Sequence, residues 1–474
     1  MKSKATSTIK SRILNILFWS IISAAFIGPG TVTTATKAGS DFQFQLLWAL
    51  SFSTIACLVL QEASARATIY SGMNLGQAIK FHFTGSKAQV PVLVMIVGAI
   101  ILGCAAYETG NILGSVEGLS LVWEKVDKRW FVLAIAVIAA LALSLKSMRS
   151  MANFMGSFVF IMGAAFITTA VTTNPPIDQL AKGVFVPTLP EAPGAGLLVL
   201  GLVGTTVVPY DLFLGSNVVQ KDTTVKDMRI GVSFAVILGG FISMAILCVG
   251  TEMTRGLSPE AIKNLGFSYK LLSQTLSIGV GQWSVYIFSF GMFAAGFTSA
   301  ITSPLASSLT ARSIFEKKNS DGTPKKRNAF KWIAYVVLAI GIVLGMLQIK
   351  PVPAIVAAQA FNGLILPFVS IFLFTVVNDK RVMGREHLNG VFSNCCMVLV
   401  TWVTLILGIV NITQAICKIS SVEVSADMLF KASGIIALVI TIIVTFGIFR
   451  KRRRDLSEPD EIQIEKPKHT EEDI

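Results

Sequence analysis

The chain has 474 residues, of which 53% are hydrophobic and only 14% are charged. This balance excludes the usual soluble globular classes and fits a helical membrane protein with many spans. The formal net charge of +13 would suit a nucleic-acid partner, but the basic residues gather at the ends of apolar segments. Membrane topology explains that placement, so we expect no nucleic-acid partner.

Twelve apolar segments have the length of membrane spans, about 20 residues each. We place them at 13–38, 43–63, 90–121, 130–147, 152–173, 194–219, 229–250, 278–308, 329–348, 352–377, 390–413 and 427–449. If these spans alternate in direction, most basic clusters fall on one side, which the positive-inside rule makes cytoplasmic. The prediction is a multi-pass protein of the plasma membrane with both termini cytoplasmic. Residues 1–12 form the N-terminal segment, and 450–474 form a basic, then acidic, disordered tail.

A Gly-Pro-Gly motif at residues 28–30 interrupts the first span. Pro29 has no N–H group and clashes with the preceding turn, so we expect the helix to break there. Lipid cannot satisfy the freed backbone groups, which must instead face a polar cavity or other protein groups. The motif therefore predicts a binding site at the depth of the membrane.

The third span contains Glu108 well inside an apolar context. An ionisable side chain at that depth is a functional candidate. The alternative is a packing role, in which Tyr107 or a neighbouring helix satisfies a protonated Glu108.

The sixth span repeats the interruption of the first, with Pro209 in an apolar segment and Asp211 two residues later. Each break lies in the first span of a five-span unit, so the two units face opposite ways across the membrane. Paired broken helices of this kind indicate a secondary transporter with inverted repeats. We expect an all-α polytopic fold in which 13–173 and 194–377 are the repeats and 390–449 adds two helices.

The polar side chains beside the two breaks are hard oxygen donors, namely Thr31, Thr33, Thr34, Thr205, Thr206, Tyr210 and Asp211. Oxygen ligands suit Mg²⁺, and both breaks lack sulfur and histidine, which later transition metals prefer. Thr31, Thr205 and Asp211 are the predicted metal ligands. Asp211 has the alternative of capping the restarted helix. Lys37 either pairs with Asp41 or favours an anionic or zwitterionic substrate.

Several ordered motifs resemble those of the Nramp family of proton-coupled divalent-metal transporters, across about residues 15–385. The matching stretches are GPGT at 28–31, LLW at 46–48, LQ at 60–61, AR at 65–66, TVVP at 206–209, DLFL at 211–214, AG at 295–296, LA at 305–306, Gln359 and LPF at 366–368.

The resemblance implies a LeuT-type fold with alternating access. It also implies where the family's metal ligands would lie. Gly28 and Thr31 occupy the Asp and Asn positions of the family's Asp-Pro-Gly-Asn motif, and Val208 and Tyr210 occupy the Met and His positions of its Met-Pro-His motif.

By the same resemblance, Thr205 supplies the backbone carbonyl before the sixth-span break, and Gln359 retains its position in the tenth span. Of the family's acidic pair in the third span, which is implicated in proton coupling, only Glu108 remains, because the other position is Ala105.

We expect a secondary-active transporter that moves a divalent cation, Mg²⁺ or Mn²⁺, with weak or absent proton coupling. Two alternatives stay open: the same fold carrying a small organic or zwitterionic solute, and a transport-inactive sensor. No nucleophile–base pair or phosphate loop occurs, so we expect neither enzyme activity nor a cofactor. The expected partners are the transported ion, which can keep its water, and the lipid bilayer. We expect a monomer.

Overall fold

A computed structural model describes residues 27–144, 149–192, 194–217, 219, 223–258, 261, 267–315, 330–420 and 424–457. The predicted N-terminal segment, the first half of the first span and the acidic part of the tail lie outside these residues. Within them the chain is helical and contains no β-strand.

The described residues form seventeen α-helices. In chain order they are α1 (Pro29–Phe42), α2 (Leu47–Ser71), α3 (Leu75–His82), α4 (Gln89–Val122), α5 (Lys128–Ser144), α6 (Arg149–Thr172), α7 (Ile177–Phe185), α8 (Ala195–Thr206), α9 (Pro209–Asn217), α10 (Val225–Met253), α11 (Tyr269–Val280), α12 (Ser284–Phe315), α13 (Lys331–Met346), α14 (Pro351–Val376), α15 (Lys380–Met383), α16 (Val391–Ile419) and α17 (Ala426–Ser457).

The helices have the lengths and composition of a polytopic membrane protein. Eight segments of the described chain are long and apolar enough to cross a membrane, and two shorter apolar helices accompany them. Each of the twelve predicted spans overlaps a helix, which confirms the all-α polytopic fold. The division of the chain into two inverted repeats at the predicted boundaries stays a prediction.

The predicted ends of some elements were wrong. Residues 450–457 were assigned to a disordered tail, yet α17 continues to Ser457. Basic residues near the C-terminus of a helix complement its dipole and so extend it. At the eighth span, a separate helix, α11, and a 3-10 turn at Gly281–Trp283 precede α12, which begins at Ser284 rather than at the predicted residue 278.

The broken helices lie at the centre of the bundle. Helix α10 packs along α1, α14 packs along α8, and α12 packs along α4. All twelve residues of α8 except Leu197 are buried. A helix that is apolar all round must be enclosed by other helices or by lipid. Here α14, α1 and α2 enclose α8.

Glycines allow α1 and α10 to touch through their backbones. A Cβ atom added to Gly39 would lie 2.0 Å from the carbonyl oxygen of Leu247, and one added to Gly250 would lie 2.3 Å from that of Thr36. Small residues at helix interfaces permit this close approach in membranes, where dispersion contacts rather than water drive packing. The contact fixes α1, and therefore the first break, against α10.

Replacing Gly39 with alanine is therefore expected to destabilise the protein. The added methyl group would force α1 and α10 apart, at a cost of about 1–3 kcal/mol in the free energy of unfolding. Thermal unfolding of the detergent-purified protein measures the effect. Gly98→Ala, in α4, is the matched control because a Cβ there meets open space. Equal midpoints for the two variants would contradict the close contact.

Candidate functional site

The sixth span is two half-helices with a two-residue gap. Helix α8 ends at Thr206, and α9 begins at Pro209. The N–H group of Val207 still bonds to the carbonyl of Val203, whereas Asp211 N bonds to Val208 O at 3.1 Å to form the first turn of α9. Proline suits the first position of a helix because its missing N–H group would have had no helical partner there.

The first break has the same construction on its described side. Gly28 is extended (φ −95°, ψ 177°) and precedes Pro29, the first residue of α1. Pro29 thus starts a half-helix, and the half that it was predicted to end lies outside the described residues. The N-terminal ends of α1 and α9 therefore lie at the two breaks.

A hydrogen bond joins the two breaks. The hydroxyl oxygens of Thr31 and Thr205 lie 2.8 Å apart, although the residues are 174 positions apart in the chain. Both side chains are buried. Two of the three predicted metal ligands are therefore in direct contact.

Gln359 of α14 lies against both broken helices. A Cβ atom on Gly30 would fall 1.8 Å from its Nε2 atom, and one on Gly204 would fall 2.0 Å from its backbone oxygen. Its buried Oε1 atom has no hydrogen-bond partner in the described part of the chain. The amide oxygen is thus available to a bound ligand or water.

Tyr107, which the sequence did not single out as a site residue, lies beside the sixth-span break. Its hydroxyl donates a hydrogen bond of 3.2 Å to Gly204 O, and its ring meets that of Tyr210 edge-on with centroids 5.5 Å apart. A tyrosine in an apolar helix needs a hydrogen-bond partner for its hydroxyl, and this requirement could have identified Tyr107 as a site residue from the sequence. Glu108, the partner considered for it, does not fill that role.

Asp211 is the third residue of α9, and Val208 precedes the helix at the capping position. The Asp211 side chain is buried, and its Oδ2 atom makes no hydrogen bond within the described residues. A carboxylate in the first turn complements the helix dipole wherever its oxygens point. An unpartnered oxygen in addition leaves a position for a cation or a proton.

Glu108 is fully buried, and neither carboxylate oxygen has a hydrogen-bond partner among the described residues. It packs against α13, since a Cβ on Gly341 would lie 2.7 Å from Glu108 Cγ. Its neighbour Tyr107 instead faces α8. A role for Glu108 in proton coupling stays a prediction.

Lys37 forms the predicted ion pair with Asp41, with Nζ 2.7 Å from Oδ2 and both side chains partly exposed. Its charge is therefore balanced by a neighbour on the same helix.

The candidate site is poor in charged ligands. In the part of the chain that the structure describes, no group of three or more His, Cys, Asp or Glu side chains could hold a metal ion. The oxygens near the breaks include those of Thr31, Thr205, Gln359 and Asp211, of which Asp211 alone can carry a charge, and Val208 adds only an apolar side chain. This set suits a hard cation that keeps part of its water.

Comparison with known sequences identifies a family and a relative that this chain resembles. The sequence model of a family described as "Natural resistance-associated macrophage protein-like" (Nramp) matches residues 20–414. The chain is 25% identical over 379 residues to the divalent metal cation transporter MntH of Xylella fastidiosa, covering 77% of each protein.

Solved structures share the fold. The manganese transporter of Eremococcus coleocola superposes with a TM-score of 0.69 at 18% identity, over 96% of this chain and 97% of that one. Mhp1, a nucleobase-cation-symport-1 family transporter, gives 0.51 at 15% identity, over 94% and 96%. These likenesses confirm the predicted LeuT-like fold.

The hydrogen bond between Thr31 and Thr205 predicts that removing it lowers the stability of the protein. Thr205→Val keeps the shape but removes the hydroxyl, and a buried neutral hydrogen bond contributes about 1 kcal/mol. Thr206→Val is the control, because its hydroxyl bonds only to Leu202 O one turn earlier in the same helix. We expect a lower thermal unfolding midpoint for Thr205→Val than for Thr206→Val. The reverse order would show that the contact between breaks contributes nothing.

Proposed function

The chain belongs to the Nramp family, and we propose that it is a secondary-active transporter of a divalent metal cation, Mg²⁺ or Mn²⁺. We further propose that it works by alternating access in the plasma membrane, with weak or absent proton coupling and with both termini cytoplasmic. The protein would act as a monomer, with residues 13–173 and 194–377 as its inverted repeats.

The observation that carries the proposal is the meeting of the two helix breaks. The bond between Thr31 and Thr205 places both breaks at one point inside the bundle, and Gln359 contacts both helices there. Broken helices whose ends meet in a membrane protein form ion and substrate sites, because their free backbone groups can serve as ligands.

The chemistry of the donors supports a hard divalent ion. Asp211 offers the one carboxylate of this set, and its Oδ2 atom is unpartnered in the described residues. The other oxygen donors at the breaks, those of Thr31, Thr205 and Gln359, are neutral. Mg²⁺ gives up its water reluctantly and is commonly held by one or two carboxylates with several waters retained. A partly hydrated ion therefore suits this set better than a bare one.

The surroundings of Glu108, the acidic residue in the middle of α4, support weak proton coupling. The other acidic residue of α4, Glu117, forms an ion pair with Lys128. Glu108 contacts α13, while the α8 side of α4 carries the uncharged Tyr107. A proton relay needs a succession of ionisable groups. The position expected to hold the second acid of the pair is Ala105.

The decisive variant is Asp211→Asn, tested in proteoliposomes loaded with a fluorescent metal indicator. Removing the one carboxylate at the breaks is expected to reduce Mg²⁺ or Mn²⁺ influx by about ten-fold or more. Asp227→Asn is the matched control, since it removes a buried carboxylate that receives the Thr224 hydroxyl at the start of α10. If wild-type liposomes admit neither ion under a steep gradient, the metal proposal is wrong.

The second measurement imposes a pH gradient on the same liposomes. With weak or absent coupling, an inwardly directed proton gradient should change the initial metal flux by less than about two-fold. An internal pH indicator should record no proton influx that depends on metal. A stoichiometric proton influx abolished by Glu108→Gln would contradict this part of the proposal.

The second candidate is transport of a small organic or zwitterionic solute. The observation in its favour is that α1 and α9 both begin at the breaks, since helix N-termini attract carboxylates. Uptake of labelled amino acids without any response to Mg²⁺ or Mn²⁺ would favour it. Saturable binding of either ligand class without flux would indicate a sensor.

A further inference from the structure

The end of α17 has two faces with different surroundings. Its basic run covers residues 450–454. Lys451 and Arg452 are half-buried against the bundle, whereas Arg450, Arg453 and Arg454 are exposed. The exposed residues have the i, i+3, i+4 spacing of one helical face. The positive-inside rule explains why all five residues of this run are basic. It does not explain the contacts that Lys451 and Arg452 make with the bundle.

Lys451 reaches a buried ion pair. Its Nζ atom lies 3.2 Å from His82 Nε2 and 3.7 Å from Asp379 Oδ2. The other ring nitrogen, His82 Nδ1, lies 2.5 Å from the same carboxylate oxygen. An ammonium group can only donate, so His82 Nε2 accepts and the ring proton is on Nδ1, which donates to Asp379. His82 thus bridges the lysine and the aspartate.

Two arginines, Arg381 and Arg452, add hydrogen bonds around this ion pair. Arg381 donates to Asp379 Oδ2 at 2.9 Å and to His82 O at 2.8 Å. Arg452 donates to Asn378 Oδ1 at 2.7 Å and to Asn389 O at 2.9 Å. Burial alone raises the pKa of the Asp379 carboxyl, but hydrogen bonds from His82 and Arg381 outweigh it and hold that pKa well below its ordinary value. The carboxylate therefore stays charged at physiological pH.

His82 is the last residue of α3, and the first turn of α3 is bonded to α9. Asn74 donates from Nδ2 to Asn217 Oδ1 at 2.9 Å, and Leu75 N donates to Ser216 Oγ at 3.0 Å. A capping box between Asn74 and Gln77 fixes the start of α3. An eight-residue helix is a rigid rod of about 12 Å. It therefore connects the end of α17 to the half-helix that carries Asp211.

We propose that Lys451 and Arg452 are positioning residues that hold α9 in place through α3. Docking of the α17 end on His82, Asp379 and Asn378 immobilises one end of α3, and the other end restrains the last turn of α9. Because Asp211 is in the first turn of α9, this restraint reaches the candidate site. The end of the C-terminal helix thus restrains, from the cytoplasmic side, the movement of the second half of the sixth span. Only its effect on flux rests on the proposed function.

The test compares two double variants of the full chain in nanodiscs. Lys451→Ala/Arg452→Ala removes the inward cations, and Arg450→Ala/Arg453→Ala removes the same charge from the exposed face. Hydrogen–deuterium exchange of amides at 74–82 and 209–217 is the readout. We expect the inward variant to exchange about ten-fold faster in both segments, the outward variant to match wild type, and α13 to be unchanged in both. Lys451→Arg/Arg452→Lys should restore protection.

The proposal is overturned if the inward variant loosens 74–82 but leaves 209–217 protected, if both variants behave alike, or if α13 loosens equally. Exchange needs no transported ion, so this outcome is independent of whether Mg²⁺ or Mn²⁺ is the cargo. Where metal flux is measurable, the inward variant should change the maximal rate by more than about two-fold with KM unchanged. A purely structural loss would leave the rate per folded molecule unchanged, and that result would also contradict the proposal.

Discussion

The inability of lipid to accept or donate hydrogen bonds is the constraint on which the rest of the structure depends. Helix α8 stops inside the bundle and α1 and α9 start there, so their free backbone groups must be enclosed by protein. The enclosure explains the crowded packing around α1 and α8, where glycines bring backbones into contact and a glutamine from α14 fits between the broken segments. Beside the breaks, the same enclosure leaves the Gln359 Oε1 and Asp211 Oδ2 atoms without hydrogen-bond partners among the described residues.

The sequence was sufficient for features that depend on neighbouring residues. Proline chemistry predicted the break of the sixth span and a helix start at Pro29, hydropathy predicted the spans, and i,i+4 spacing predicted the Lys37–Asp41 pair. The contact between Thr31 and Thr205 was not predictable in this way, because it depends on how two helices far apart in the chain align. Gln359 came from family resemblance alone, since a single glutamine in an apolar span has several satisfactory explanations.

The charged network at the end of α17 shows a different limit. Its residues come from positions 82, 378–381 and 451–452, and each of the basic ones is adequately explained by membrane topology. Lys451 differs from Arg450 in the direction of its side chain, which faces the bundle. Both residues lie on a part of α17 beyond residue 449, where the sequence predicted the last span to end. The direction of the Lys451 side chain follows from the continuation of the helix past the apolar segment, and the contacts of Lys451 with His82 and of Arg452 with Asn378 and Asn389 depend on tertiary structure.

The bond between Thr31 and Thr205 also has a kinetic consequence. Two neutral hydroxyls hold the breaks together, and such a bond contributes about 1 kcal/mol, less than twice the thermal energy RT. Thermal motion can therefore break this hydrogen bond without an energy source, and the bond can re-form equally easily. An ion pair between the same positions would make a slower hinge in a low-dielectric interior. The weakness of the contact thus suits the alternating access that we propose.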